Sequence, residues 1–117
     1  MRAIHSSRVA GFSDELKELF GYLRSTAKNA GANVEDQRHK PKSGCGVRYY
    51  VRGENFCQLD PKIRENHVGI RLPRADRARV VADGFKPSVQ PGWYWVKTMR
   101  EAVRSVKWIM GEYNGCS

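Results

Sequence analysis

The sequence predicts an α+β domain in which a four-stranded, mainly antiparallel sheet packs against an N-terminal and a C-terminal helix. Apolar residues recur with helical spacing near both ends of the chain. Between these ends, residues 47–52 and 67–72 alternate apolar and polar side chains, which is the period of strands with one buried face. A length of 117 residues suits one domain, so 1–117 is interpreted as a single unit with a flexible N-terminus over 1–11 and a mobile basic loop over 32–46.

The first helix is predicted over residues 13–29. Apolar residues from Phe12 to Ala27 recur at i, i+4, i+7 and i+8, so they share one helical face. Ser13 suits the N-cap, because its hydroxyl oxygen accepts a hydrogen bond from a free backbone N–H of the first turn. Gly31 is placed to end the helix.

The basic loop over 32–46 follows this helix. Pro41 and the glycine-containing run at 43–46 discourage regular structure, and a short strand near Val34 stays open as an alternative. A connection of this length inside a compact domain indicates either a solvated, disordered segment or a functional one. We therefore keep its cations as candidate binding residues: Arg38, Lys40 and Lys42.

A three-stranded meander is predicted over 47–52, 55–59 and 67–72. Gly53 and Glu54 are expected to be the two central residues of a tight hairpin turn between the first two strands. Asp60 is expected to begin a further turn that runs through Asn66, and Pro73 ends the third strand.

The C-terminal half begins with a short helix predicted over 74–82 and a proline-containing connection. The run Trp93-Tyr94-Trp95-Val96 has strong strand preference and predicts a fourth strand over 92–97.

Thr98 and Glu101 form a capping box that opens a last helix over 98–113. Its predicted apolar face consists of Met99, Ala102, Val103, Val106, Ile109, Met110 and Tyr113. A basic stripe beside Trp108 on the same helix is interpreted as a solvated face, with insertion into a DNA groove as the alternative; it consists of Arg100, Arg104 and Lys107.

Composition restricts the classes of function. The net charge of +9 makes a polyanionic partner plausible. No apolar run reaches the roughly 20 residues of a membrane-spanning helix, and the N-terminus lacks the apolar core of a signal peptide, so we expect a cytoplasmic protein with no membrane partner. Cys45, Cys57 and Cys116 form no close pair, so we expect no disulfide, metal site or cofactor unless the fold gathers them with the histidines.

Several stretches together resemble a known family: residues 12–27, Val34-Glu35, 47–51, 55–62, 68–72 and 95–98. Their order is similar to that of a small uncharacterised bacterial domain family described as "predicted transport protein", and also to that of MmcQ/YjbR-like domains. The resemblance implies an α+β fold and a small standalone or accessory module without catalytic residues. The basic segment 36–45 and the paired tryptophans Trp93 and Trp95 depart from the family pattern.

If the apolar sides of the strands face the helices, the other side of the sheet is basic and aromatic. The predicted residues of this face are Arg48, Tyr50, Arg52, His67, Arg71, Trp93, Trp95 and Lys97. Cations follow a phosphate backbone and aromatic planes accept unpaired bases, so RNA or DNA binding is one interpretation. The alternatives are that segment 74–82 buries the tryptophans, or that a protein partner or a second copy of the chain does so.

An enzyme is the third class of function. Its candidate groups lie near one another in the meander, but their types and spacing match no catalytic template: Glu54, Cys57, Asp60 and His67. We therefore expect a binding module with no catalytic residues.

Overall fold

A computed structural model of the chain describes residues 12–38 and 46–116. Its helices are α1 (Asp14–Lys28), α2 (Arg77–Ala82) and α3 (Met99–Gly115). Its strands are β1 (Glu35–Arg38), β2 (Val47–Val51), β3 (Glu54–Lys62), β4 (His67–Arg71), β5 (Lys86–Pro87) and β6 (Trp93–Val96). The strands form one antiparallel sheet in the order β1-β2-β3-β4-β6-β5. The predicted α+β class is confirmed, but the predicted number of four strands is wrong, since the described residues form six.

The two additional strands are the edges of the sheet. β1 pairs with β2 in the segment expected to be a mobile loop, which confirms the alternative of a short strand near Val34. β5 lies in the expected connection and pairs with β6. Each edge strand is held by backbone hydrogen bonds to a single neighbouring strand, and these bonds do not require apolar and polar side chains to alternate. The sequence of such a strand can therefore lack the period-two pattern. The rest of the expected loop, 39–45, and the expected flexible N-terminus, 1–11, lie outside the described residues.

Both predicted turns of the meander are misplaced. Arg52 and Gly53 have positive φ angles of 53° and 78°, as the two central residues of a type I′ turn require, so Glu54 already belongs to β3. Asp60 and Pro61 also belong to β3 rather than to a turn. The described pairing of β2 with β3 ends before Pro61, so Pro61 pairs only with β4, where it lies opposite Val68.

A β-bulge interrupts the pairing of β2 with β3. Tyr49 pairs with Cys57 and Tyr50 pairs with Asn55, so Phe56 is an extra residue. Phe56 is fully buried and meets Tyr113 of α3 edge-on, with ring centroids 5.5 Å apart. The bulge therefore turns one more aromatic side chain toward the helices.

The two long helices begin at the caps that the sequence predicts. The Ser13 hydroxyl accepts a hydrogen bond from Leu16 N at 3.0 Å. The Thr98 hydroxyl accepts one from Glu101 N at 3.1 Å, and Glu101 in turn accepts one from Lys97 N at 2.7 Å. Together the helices cover one face of the sheet, and the largest buried side chains there are Tyr49, Tyr94, Phe20, Phe56, Leu16, Leu23, Leu59, Ile70, Leu72 and Ile109.

Helix α3 buries a carboxylate that its periodicity does not predict. Glu112 is 2% exposed and accepts hydrogen bonds from the backbone N–H groups of Arg74 at 2.9 Å and Ala75 at 2.8 Å. Val103, which was expected in the core, is instead 56% exposed. The buried face of α3 is therefore rotated away from Val103 and includes a polar group that holds the segment after β4.

The basic stripe of α3 is only partly a solvated face. Asp83 Oδ2 accepts a hydrogen bond from Trp108 Nε1 at 2.8 Å and lies 3.2 Å from Lys107 Nζ, and the Asp83 carbonyl accepts one from Arg104 at 3.0 Å. These contacts fasten the C-terminal end of α2 against α3, on the side of the sheet that carries the helices. Helix α2 therefore does not lie over Trp93 and Trp95.

Candidate functional site

Strand register brings four polar and aromatic residues into one row across the open face of the sheet, which is the face opposite the helices. Arg48 pairs with Gln58, Gln58 with Arg71, and Arg71 with Trp93, on β2, β3, β4 and β6 respectively. Neighbouring strands lie about 4.8 Å apart, so the row is roughly 14 Å long. Two cations and one indole thus become neighbours although they lie far apart in the sequence.

A shallow depression of about 440 Å³ lies over this row. Its volume falls within the range of about 300–1,000 Å³ that is usual for small-molecule sites. It is wide open to solvent, so it suits part of an extended ligand as well as a small one. The residues that line it are Arg48, Tyr50, Asn55, Gln58, Arg71 and Trp93.

Neutral amides orient the two guanidinium groups of the depression. Arg71 Nη1 donates a hydrogen bond to Asn55 Oδ1 at 2.7 Å, and Arg48 Nε donates a longer one to Gln58 Oε1 at 3.4 Å. An amide oxygen carries no net charge, so these contacts fix the direction of each guanidinium without cancelling its charge. A phosphate or carboxylate could therefore still gain a charge-assisted hydrogen bond from either group.

The β-bulge fixes Asn55 in turn. Its Nδ2 donates to the carbonyl oxygens of Tyr49 and Cys57, at 3.1 Å each. With Oδ1 accepting from Arg71, the amide of Asn55 uses both its donors and its acceptor. The irregular pairing of β2 with β3 thereby determines where one cation of the depression points.

Gly69 makes room for both indoles of β6. A Cβ added at Gly69 would lie 3.0 Å from Cζ3 of Trp95 and 3.4 Å from Cε3 of Trp93, so the two rings converge above this residue. Both tryptophans are half-buried. Of the alternatives drawn from the sequence, burial by segment 74–82 is wrong, and the indoles form a partly exposed pair on the open face.

A second group of cations surrounds Trp95. The His67 ring lies 4.5 Å from the Trp95 ring, between centroids. Burial lowers the pKa of His67 below its usual value of 6.5, which favours the neutral imidazole. Glu65 acts in the opposite direction, and the charges of Lys97, Lys62 and Lys86 lower the pKa further. Asp60, an acidic group on the same face, pairs with Lys62 at 2.9 Å.

The structure brings together most of the candidate residues that the sequence predicts. Those on the open face are Arg48, Tyr50, His67, Arg71, Trp93 and Trp95, and Lys97 follows β6 directly. Arg52 does not lie on the face, because it occupies the type I′ turn. Arg38 ends β1, while Lys40 and Lys42 lie outside the described residues.

Four residues of the open face were not among the predicted site residues: Asn55, Gln58, Gly69 and Lys86. The bulge separates Asn55 from Gln58 by three positions, which breaks the alternation that would have placed both on one face. Gly69 did carry a signal, since glycine inside a strand often marks a close approach of another group.

The candidate catalytic groups do not converge on one site. Cys57 is fully buried on the side of the helices, and burial raises the pKa of its thiol, whereas Asp60 and His67 lie on the open face. Glu54 follows the hairpin turn and pairs with Arg74. Within 12–38 and 46–116, no three histidine, cysteine or acidic side chains are placed to hold a metal ion.

Comparisons of the chain with models of protein families, with curated proteins and with solved structures find no match. The resemblance drawn from the sequence therefore stays a prediction, and the function has to be argued from the site itself. Across the described part of the chain, no helix combines the length and the apolarity that crossing a bilayer requires.

Proposed function

We propose that the protein binds single-stranded nucleic acid, RNA or DNA, through the open face of its sheet. The observation that carries this proposal is the convergence of two amide-oriented guanidinium groups with two partly exposed indoles on that face. Arginine provides charge-assisted hydrogen bonds to phosphate oxygens. Each indole provides a plane for an unpaired base, and such stacking contributes about 1–3 kcal/mol per base.

Two features favour an unpaired strand over a duplex. The candidate surface is a sheet that carries aromatic side chains, which is a common platform for splayed bases, whereas a base inside a duplex keeps its faces stacked on its neighbours. The basic stripe of α3, the element with the shape to enter a major groove, already engages Asp83 through Arg104 and Lys107.

A protein-interaction surface or a homodimer that uses the same aromatic face is the second candidate. The centre of a stable protein interface is depleted of charge, and its charged residues lie at the rim. On this face Arg71 lies beside Trp93, and Arg48 lies in the same row. Arg71 therefore lies within the aromatic surface rather than at its rim, which supports nucleic acid over a protein partner.

The salt dependence of binding tests the proposal. Fluorescence anisotropy of a labelled single-stranded oligonucleotide, titrated at several salt concentrations, should give a linear fall of log affinity with log salt, with a slope of about −0.7 per phosphate contact. The double variant R48A/R71A should make that slope shallower by about 0.7 to 1.4, for one or two lost phosphate contacts, and weaken binding. The matched control R77A/R79A removes the same charge from exposed positions on α2 and should change the slope little.

The possible outcomes separate a site from general charge. Absence of binding to any nucleic acid at low salt would reject the proposal. Equal effects of R48A/R71A and R77A/R79A would mean that net charge alone attracts the ligand. Light scattering that finds a mass rising with protein concentration, lost in R48A/R71A, would instead support the homodimer.

A further inference from the structure

The open face contains two stacking positions, and each has its own cations. Trp93 lies beside Arg71, with which it pairs, at one end of the depression that contains Arg48. Trp95 pairs with Gly69 on one side and Lys86 on the other.

His67 contacts Trp95 and brings Lys62 and Lys97 to the same end of the face. The arginines thus accompany the first indole, and Lys86 and Lys97 accompany the second, where Lys62 is already paired with Asp60.

We propose that this face takes two consecutive unpaired nucleotides of one strand, with one base on each indole. This inference rests on the proposed function and specifies the ligand further. The first phosphate lies at the Arg48 and Arg71 end, and the second lies at the lysine end. The strand then runs along β6 rather than across the sheet.

The spacing of the indoles determines what kind of strand fits. Trp93 and Trp95 are two positions apart on β6, so their backbones are about 6.8 Å apart. Both rings border Gly69, where an added Cβ would lie within 3.4 Å of each. Successive bases in a duplex rise about 3.4 Å, so two bases on these indoles are drawn to roughly twice that spacing. A duplex cannot stretch in this way without breaking its stacking, whereas a single strand can.

A length series measures the number of stacking positions. The probes are oligothymidylates of one to six nucleotides, each with a 5′-phosphate. Affinity should rise by roughly 5- to 150-fold from one nucleotide to two, which corresponds to one stacked base, and by much less for each further nucleotide. Dinucleotides with an abasic sugar at either position keep the same charge and should lose that gain.

Variants of the tryptophans assign each base to its indole. W93A should weaken binding of the intact dinucleotide. It should not weaken binding of the abasic dinucleotide that lacks the base over Trp93, because that stacking contact is already missing. W95A should give the same pattern for the base over Trp95. W93F and W95F keep an aromatic plane and should retain most of the affinity, which separates stacking from a folding defect. W108F is the matched control, because Trp108 lies on the side of the helices and binds Asp83.

The results distinguish this inference from the proposed function. Abasic ligands that bind as tightly as intact ones, or a mononucleotide that binds as tightly as a dinucleotide, would overturn the two-base site while leaving charge-driven binding intact. Tryptophan variants whose effects ignore the position of the missing base would overturn it as well. If no probe binds at any length, the proposed function itself fails.

Discussion

At the scale of single residues, Asn55 connects the fold with the candidate site. Its amide joins the bulge carbonyls of Tyr49 and Cys57 to the guanidinium of Arg71. The side chain is short and half-buried, and all its hydrogen bonds point in fixed directions. It therefore acts as a positioning residue for Arg71 at the edge of the depression that it helps to line.

We predict that N55A weakens nucleic-acid binding by about 5-fold, because Arg71 loses a hydrogen bond worth about 1 kcal/mol that orients it. The variant should also lose about 1–3 kcal/mol of stability, since two buried carbonyl groups lose their donor. Anisotropy titrations of N55A, R71A and the double variant check the prediction. If N55A still weakens binding in the R71A background, Asn55 does not act through Arg71.

Glu112 should make the stability of the folded protein depend on pH, and the direction of this dependence follows from its burial. Burial raises the pKa of Glu112 above 4.5, its value without burial, and the backbone N–H groups of Arg74 and Ala75 only partly oppose this. The folded state therefore binds the proton more tightly than the unfolded state does. Protonation of Glu112 therefore stabilises the folded state, and this contribution is complete below pH 4.5. It is lost as the pH rises through the raised pKa of the folded state.

We accordingly predict that the difference in unfolding free energy between the wild type and E112Q shifts in favour of the wild type as the pH falls from about 7 to about 5. Urea denaturation at a series of pH values measures this difference. A difference that stays constant over the range would mean that the pKa of Glu112 is not raised. No local pattern indicates that Glu112 is buried, because its backbone donors lie 37 and 38 residues away.

At the scale of elements, Gly69 on β4 should determine where the rings of Trp93 and Trp95 lie on the open face. Gly69→Ala puts a methyl group 3.0 Å from Trp95 and 3.4 Å from Trp93. Both rings are partly exposed and can move outward, so we expect a stability loss of no more than about 1 kcal/mol. Affinity for single strands should fall by roughly 5-fold or more.

Tryptophan emission and anisotropy titrations of G69A report the two effects separately. Gly21→Ala serves as the matched control, since an added Cβ there meets no atom within 4 Å. A shifted emission with unchanged affinity would show that the displaced indoles do not contact the ligand.

The elements also show how far sequence patterns reach. The long helices are predictable because their caps and apolar faces are local features, as Ser13 and Thr98 show. The edge strand β5 was not expected, and β1 only as the alternative of a short strand near Val34, because only backbone pairing defines these strands. The hairpin turn is displaced by one residue because Arg52 adopts a positive φ that its residue type does not suggest.

At the scale of the whole molecule, α3 reaches back to the beginning of the sheet. The Tyr113 hydroxyl donates a hydrogen bond to the carbonyl of Ala32 at 3.0 Å, and the ring lies between Phe56 and Gly31. Gly31 was expected to end the first helix, but Asn29 is the C-cap, and Gly31 instead leaves space for the tyrosine ring.

Gly31→Ala should therefore destabilise the protein by about 1–3 kcal/mol, because the new Cβ would lie 2.2 Å from the Tyr113 ring, which Phe56 prevents from moving freely. Thermal or urea unfolding measures the loss. Gly111→Ala is the control with the opposite sign: nothing lies within 4 Å of the added Cβ, so the better helix former should stabilise α3 by about 0.5–1 kcal/mol. Equal stability of G31A and the wild type would mean that the ring can swing away at no cost.

The candidate site was predictable in composition and not in arrangement. Strand alternation correctly assigned Arg48, Arg71 and Trp93 to one face. Their adjacency depends on strand order and on the bulge, which are long-range features that no local pattern records. The amides that orient the guanidiniums could be found only once these pairings were known.

Helices α1 and α3 pack against each other as well as against the sheet, which has a consequence for synthesis. Helix α1 is the first described element to be made and α3 is the last. At about 5–20 residues per second, roughly 4 to 14 seconds separate the end of one helix from the beginning of the other on the ribosome. During this interval the buried face of α1, with Leu16, Phe20 and Leu23, lacks part of its cover. The period in which a nascent chain can aggregate is thus set by the position of α3 in the sequence rather than by the stability of the finished fold.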